Sequence, residues 1–413
     1  MPPAAAKYNP AMNYAACATV KDGCPGWRVG REPLQTIEAW SPVEVVPALN
    51  ELEAAAAAGG WGAGFVTYEA AAGLGQGLAV RHTRRLPLVH FDIFKRCEFQ
   101  AGLEAGGGFE AREAWTPNIS FAEYEAAIAA IKELIAAGET YQVNFTLRLR
   151  GAVHGCARGF FEKLNALQPS SCGAFLDCGT FAVCSASPEL FFELNGKHIF
   201  ARPMKGTRPR NADPAADRQL LNQLVSSEKD KAENTMIVDM MRNDIGRIAE
   251  FGSVRVSGLF AIEPYPTVFQ MTSTVEGKTK ASLPQIFGAL FPCASVTGAP
   301  KHRTMKIIRD LENEPRGVYT GAIGWVGPGR QARFNVGIRT VLLNKITGSA
   351  EYGLGSGVIW DSSAELEFAE CLDKAAILSD CGGLRMGASP DMRKVFPSHL
   401  VGEGRLGGKW NAE

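Results

Sequence analysis

Lys205 stands in Ala201-Arg202-Pro203-Met204-Lys205-Gly206-Thr207-Arg208-Pro209-Arg210, downstream of Ser187-Pro188-Glu189. A lysine in a Gly/Pro-rich loop held near a carboxylate is a candidate nucleophile or base. Free lysine titrates near about 10.4. A nucleophilic role therefore needs a deprotonated amine, favoured by desolvation or by neighbouring cations such as Arg208 and Arg210. The two segments are joined through Phe191–Phe200, where Asn195-Gly196 between apolar runs signals a hairpin. A type I′ turn needs positive φ at both central residues, which Asn-Gly tolerates. Pairing about that turn puts Glu189 opposite Arg202. Lys205 then lies on the order of 10 Å from Glu189, so one small substrate could touch both.

Three further segments concentrate polar residues. In Lys231–Asp244, Glu233 lies one turn before Ile237, on the face of the Ile237-Met240-Met241 stripe. A carboxylate so placed needs a cation or a metal, or is an exposed helix-start Glu favoured by the dipole. In Glu365–Lys374, Glu367, Glu370 and Lys374 share one helix face. Glu370 and Lys374 are in the favourable i,i+4 order, and the face is either solvated or turned to a Mg²⁺ ion shared with Glu233, since Mg²⁺ needs only one or two protein carboxylates. In Phe334–Val341, apolar residues alternate with Asn335, Gly337 and Arg339. Arg339 either clamps a carboxylate bidentately or covers an exposed sheet face. Gly353, Gly355 and Gly357 permit close backbone approach to an anion. They precede a strand-like Val-Ile-Trp rather than a helix, which argues against a dinucleotide site. Ser295–Lys301 reads as a loop entering a helix, another candidate anion site.

The elements that must carry these residues alternate without a regular βαβ period. Strands are expected at 61–69, 173–184, 190–203, 253–262, 318–326, 334–343 and 350–360, and helices at 51–58, 214–225, 228–242, 299–313 and 363–379. Ser120-x-x-Glu123 is a capping box opening a helix that carries Tyr124, Ile128, Ile131 and Ile135 and stops at Gly138. Residues 1–30 read as an irregular lead-in, and short turns between strands predict antiparallel pairing.

The 413 residues allow a large core. Lys+Arg and Asp+Glu are both 43, which argues against a general nucleic-acid or anionic-membrane binder. No apolar run is long enough to span a bilayer, and no secretory signal is apparent. The ten cysteines show no Cys-x-x-Cys pair, so they read as reduced thiols of a cytoplasmic protein. The histidines show no metal-ligand spacing.

Taken together, Gly138–Asn144, Ser187–Glu189, the Lys205 loop, Lys231–Gly246, Ser295–Lys301, Arg316–Trp325, Asn335–Arg339 and Gly355–Lys374 resemble the chorismate-utilising enzymes in the correct order. That family includes anthranilate synthase component I, the isochorismate and salicylate synthases, and aminodeoxychorismate synthase component I. The resemblance implies an α+β fold of two packed antiparallel β-sheets with helices outside. It implies an N-terminal part over 1–110 with a possible effector-binding region, a chorismate-binding catalytic region over 120–380, and a tail over 383–413. Lysine at 205 resembles the aminodeoxychorismate synthase branch, whereas the other branches carry Ala at that position; Trp61–Ala71 resembles the same branch. That implies amination of chorismate to 4-amino-4-deoxychorismate, for 4-aminobenzoate and folate, through a covalent adduct on Lys205 with Glu189 as general acid/base. Mg²⁺ on Glu233 and Glu370 would hold one substrate carboxylate. Tyr319, Arg339, Gly355 and Gly357 would take the other, Lys374 would assist near the metal, and Thr207 and Thr297 would also contact the substrate.

Two features bear on the branch. Gln270 stands where anthranilate synthases carry a histidine associated with pyruvate elimination. The chain has no room for a fused glutaminase after residue 380, so ammonia is expected from solution or from a separate glutamine amidotransferase subunit. Anthranilate synthase component I is the alternative, and a silent chorismate-binding subunit a second.

Overall fold

The computed structural model describes residues 14–21, 24–111, 115–265 and 268–381. Among these, the strands form an eleven-stranded and a ten-stranded sheet, antiparallel throughout. The expected tail at 383–413 lies outside the described residues.

The centre of the larger sheet runs Gln142–Gly155, Ser349–Val358, Thr340–Asn344, Phe181–Ser185, Ala174–Asp177 and Tyr14–Lys21. The other runs Met204–Pro209, Val268–Lys278, His198–Arg202, Leu190–Asn195, Gln331–Val336, Ala322–Gly327, Trp61–Val66 and Val89–Phe94. N-terminal strands therefore enter both sheets. The sheets face each other through buried side chains from both, including Cys17, Leu176 and Val183 against Phe65, Phe94, Ile323 and Trp325. Helices Phe121–Ala136 and Ala364–Ala375 cover the outer face of the first, and Pro42–Ala57 and Glu228–Gly246 pack on the second. No described helix is long and apolar enough to cross a membrane.

The capping box forms as its spacing requires: Ser120 Oγ accepts the Glu123 N–H at 3.2 Å, and Glu123 Oε2 accepts the Ser120 N–H at 2.7 Å. Tyr124 then donates or accepts at Ser356 Oγ, 3.1 Å away, fixing the helix to the back of strand Ser349–Val358. All ten cysteines are free and most are buried, as small core residues.

Several expectations are corrected. Tyr14–Lys21 pairs antiparallel with Cys24–Arg31, because Ala16, Ala18, Trp27 and Val29 are buried on one face and Ala15 and Cys17 on the other. The turn expected at Asn195-Gly196 centres on Gly196-Lys197, with Gly196 at φ 60° and Asn195 opposite His198. A bulge between Leu190 and Glu193 then shifts the register, so Leu190, not Glu189, opposes Arg202. The stretch 334–343 is two strands in different sheets. The chain crosses between them at Gly337–Arg339, where Arg339 adopts a left-handed φ of 51° and a Cβ at Gly337 would lie 2.2 Å from the Val318 carbonyl oxygen. The polar row that alternation alone would aim from one sheet face is thereby divided between two.

The second sheet's outer core is aromatic. Phe334 lies 5.1 Å from both Phe192 and Phe287, ring centre to ring centre, and all three are fully buried. Truncating such a ring removes transfer energy and leaves a cavity. Phe334→Ala should cost about 3–5 kcal/mol in denaturant unfolding; a loss below about 1 kcal/mol would show that this cluster is not the sheet's anchor.

Candidate active site

The site is built on one face of the long strand Gln142–Gly155. Side chains of a strand alternate, so Val143, Phe145, Leu147 and Leu149 pack into the core while Gln142, Asn144, Thr146 and Arg148 line the other face, also buried. Across the ladder, Gly357 opposes Asn144, Gly355 opposes Thr146 and Gly353 opposes Arg148. A polar row thus borders a row with no side chains, and a candidate substrate-binding residue and the candidate nucleophile lie over that row. A Cβ at Gly353 would stand 2.1 Å from Cγ of Tyr319, and one at Gly355 would stand 3.2 Å from the Tyr319 hydroxyl. A Cβ at Gly357 would stand 3.4 Å from Lys205 Nζ.

Lys205 extends from strand Met204–Pro209, at the edge of the second sheet. Its Nζ lies 3.6 Å from Glu233 Oε2, on helix Glu228–Gly246. Its charge also bears on Glu189 and on Glu370. Elements distant in sequence therefore converge on one amine. Arg208 and Arg210 do not serve it: they pair with Asp230 and Asp217, both at 2.9 Å. Lys205 is latched from behind by Gln270, whose Nε2 donates to the Gly206 carbonyl and whose Oε1 accepts from Thr207 Oγ1, both at 2.8 Å. Thr207 spends its hydroxyl there.

Glu189 is 3% exposed. Burial pushes its carboxyl up to about 7, against the opposing pull of a 2.6 Å hydrogen bond donated by Ser295 Oγ and of the Lys205 charge. A carboxyl poised there can donate a proton and take one back near neutral pH. Its backbone is held on both sides, since the Val336 N–H donates to the Glu189 carbonyl at 3.1 Å and the Glu189 N–H donates to Ser187 Oγ at 3.3 Å. Ser295 is the functional partner that sequence reasoning missed; its signal was the polar Ser295-Val296-Thr297 loop.

Helix Ala364–Ala375 brings Glu370 and Lys374 to the same region. Lys374 Nζ donates to Glu370 Oε1 at 2.6 Å and to the Gly355 carbonyl at 2.8 Å. Burial raises the Glu370 carboxyl, but Lys374, with Lys205 and Lys229 behind it, outweighs that and holds it below the usual carboxylate range. Among the described residues no cluster of three or more His, Cys, Asp or Glu is arranged to hold a metal. Glu233, beside Lys205, and Glu370, within the field of that lysine, are the candidate Mg²⁺ ligands, since Mg²⁺ completes its shell with water or substrate oxygens. Glu367 turns away, accepting from Ser362 Oγ at 2.6 Å.

Arg339 and Thr297 are more constrained than expected. One arm of Arg339 donates to the Lys374 carbonyl at 2.6 Å. The Thr297 hydroxyl donates to the Cys293 and Ala294 carbonyls, while its own carbonyl accepts the Asn144 N–H at 2.8 Å. Tyr319 is buried, with the Arg148 guanidinium 4.9 Å from its ring centre. Lys301, at the suggested anion loop, is spent on Asp244 at 2.7 Å.

Residues 16–380 match the family of chorismate binding enzymes. Aminodeoxychorismate synthase component 1 of Salmonella typhimurium is 40% identical over 268 residues, 64% of this chain and 59% of that protein. Anthranilate synthase component 1 1 of Haloarcula marismortui is 39% identical over 271 residues, 64% of this chain and 54% of that protein. The chain thus spans between 54% and 59% of the length of these two relatives. Anthranilate synthase component I from Streptococcus pneumoniae TIGR4 has the same fold, with a TM-score of 0.69 at 24% identity over 90% of this chain and 92% of that one.

A buried carboxyl raised to about 7 binds its proton more tightly folded than unfolded. Its contribution is present below the unfolded value, near about 4.3, and is lost as pH rises through about 7. Removing that titration in Glu189→Gln should flatten the fall in unfolding free energy over this window, by up to about 3 kcal/mol. A variant with the parent's pH slope would show that Glu189 is not held protonated.

Proposed function

The chain belongs to the chorismate binding enzymes, and from that premise we propose that it is the aminating component of an aminodeoxychorismate synthase. In this reading chorismate and ammonia become 4-amino-4-deoxychorismate and water, on the route to 4-aminobenzoate and folate. The observation that carries the reading is Lys205 itself. Its amine stands over Gly357, within reach of Glu233 and within the field of Glu189 and Glu370. The Salmonella relative bears the same activity in its name.

Lys205 Nζ attacks C2 of the ring. The two ring double bonds shift, the C4–O bond breaks, and Glu189 gives its proton so that water leaves. Ammonia then attacks C4, the double bonds return, and the C2–N bond breaks to release Lys205 as a free amine. Glu189 takes the excess proton from the new C4 ammonium, which restores both groups. Glu189 suits both proton transfers because burial places it near neutrality.

Glu233 and Glu370 would hold Mg²⁺, which supplies charge neutralisation for one substrate carboxylate. Tyr319, Arg339 and the backbone of Gly355 and Gly357 would receive the other. Lys374 ties the Gly355 carbonyl to Glu370 and so fixes the floor relative to the carboxylates. Gln270 supports an enzyme that stops at the amino-cyclohexadiene: its amide is committed to Gly206 and Thr207 and offers no titrating base for pyruvate elimination. Ammonia would come from a separate glutamine amidotransferase subunit, and the enzyme would work in the cytoplasm.

The test is the purified chain with chorismate, Mg²⁺ and high ammonium, products resolved by mass spectrometry. We expect an amino-substituted chorismate that an added lyase converts to 4-aminobenzoate. Lys205→Ala should bind chorismate with parent affinity and lose at least about 10³-fold in turnover, the scale of removing a covalent catalyst. Anthranilate from the parent, or parent-like turnover by Lys205→Ala, would overturn the reading.

A further inference from the structure

Gln142 takes no part in the chemistry described above. It begins the polar row of strand Gln142–Gly155 and is 1% exposed. Its Oε1 is buried without a hydrogen-bond partner among the described residues. Its Nε2 lies 2.4 Å from where a Cβ would stand at Gly357, the same point that Lys205 Nζ approaches to 3.4 Å. The amide and the amine therefore both approach the bare face of Gly357, where a side chain would collide with the Gln142 amide. Nothing in the packing explains a buried amide there. The buried Oε1 costs about 1–3 kcal/mol without a donor, which a carboxylate would not recover, but the group turned toward Lys205 is the donor Nε2; Met would fill the same volume. The backbone around it is fixed, since Ala299 pairs with Gln142 and Thr140 Oγ1 donates to the Gln142 carbonyl at 3.1 Å.

We propose that Gln142 is a further substrate-contacting residue, whose amide nitrogen donates a hydrogen bond to the ring carboxylate of chorismate. The proposal rests on the amination reading for its substrate. The ring carboxylate sits on C1, next to the carbon that Lys205 attacks, so a donor flanking Lys205 reaches it. When formation of the C2–N bond runs ahead of C4–O cleavage, electron density builds on C1 and its carboxylate. A fixed N–H aimed at that group stabilises the transition state more than the bound substrate. The donor is neutral, so it holds the carboxylate without adding a second cation beside Lys205. It also discriminates: a ring lacking the C1 carboxylate would leave both the amide and the carboxylate-binding groups without a partner.

Two variants separate donation from packing. Gln142→Met keeps the length and removes the N–H; Gln142→Glu keeps the shape and turns a donor into an anion. Turnover is read as chorismate consumption, so it reports on Gln142 whichever aminated product forms. Binding is read by calorimetry with chorismate in magnesium buffer, on the Lys205→Ala background, which needs no turnover. Gln142→Met should lower kcat about 10²-fold and weaken chorismate about tenfold, with a melting temperature no lower than the parent's. Gln142→Glu should weaken chorismate further than Met does. Parent-like kcat and affinity in Gln142→Met would overturn the proposal. So would a lowered melting temperature with unchanged kcat per folded molecule, which would make Gln142 a packing residue. Loss of the amination reading would appear separately, as a different product made by the parent.

Discussion

The site depends on the register between strands Gln142–Gly155 and Ser349–Val358. Ten successive antiparallel pairs, from Ser349 opposite Ala152 to Val358 opposite Val143, set three glycines against a polar row. Because the side-chain period is two, a slip of one residue would turn Val143, Phe145 and Leu147 into the cleft and bury Gln142, Asn144 and Thr146 in the core. The apolar face is what forbids the slip. Phe145 packs on Tyr124 of the covering helix at 5.5 Å between ring centres, and Tyr124 reaches Ser356 behind the glycines. Packing on one face thus fixes chemistry on the other.

A second constraint holds the loops to that floor. Arg316 is nearly fully buried and gives Glu312 two hydrogen bonds, at 2.9 and 2.6 Å. It also donates to the Val296 and Asn144 carbonyls, each at 2.7 Å. One guanidinium so joins the Ser295 loop, the polar strand and the turn that presents Tyr319. Glu69 accepts the Arg316 and Gly317 N–H groups at 2.6 and 3.0 Å, which brings the N-terminal segment into the same network. Such a network rigidifies a site only when its members are satisfied, and leaving one of these charges unpaired would be costly. The fixed planar fork of arginine explains why one residue can meet several acceptors at once.

Much of this was legible in the sequence, for identifiable reasons. The residues gathered at Lys205 belong to local motifs whose order along the chain resembles a known family. The capping box at Ser120 and the helices carrying Glu233 and Glu370 follow from local periodicity. What was not legible was tertiary. The left-handed Arg339 and the passage of the chain between sheets at Gly337–Arg339 depend on the Val318 carbonyl, which no local pattern reveals. The bulge before Glu193 moved the hairpin register by interactions with strand Gln331–Val336, which shifts at the same place. The expected help from Arg208 and Arg210 failed because Asp230 and Asp217 lie nearer to them in space than any spacing rule predicts. Ser295 was visible as a loop residue, but its bond to Glu189 joins positions 106 apart.

Amination requires Lys205 to act as a nucleophile over the glycine floor rather than as a cation that merely balances Glu233. The most direct measurement is to mix the protein with chorismate and Mg²⁺ with ammonia excluded, quench with acid, and sequence the proteolytic peptides by mass spectrometry. A nucleophilic Lys205 gives a peptide carrying chorismate minus water on that residue, discharged when ammonium is added before the quench. An unmodified Lys205 peptide under conditions where added ammonium gives full turnover would contradict it.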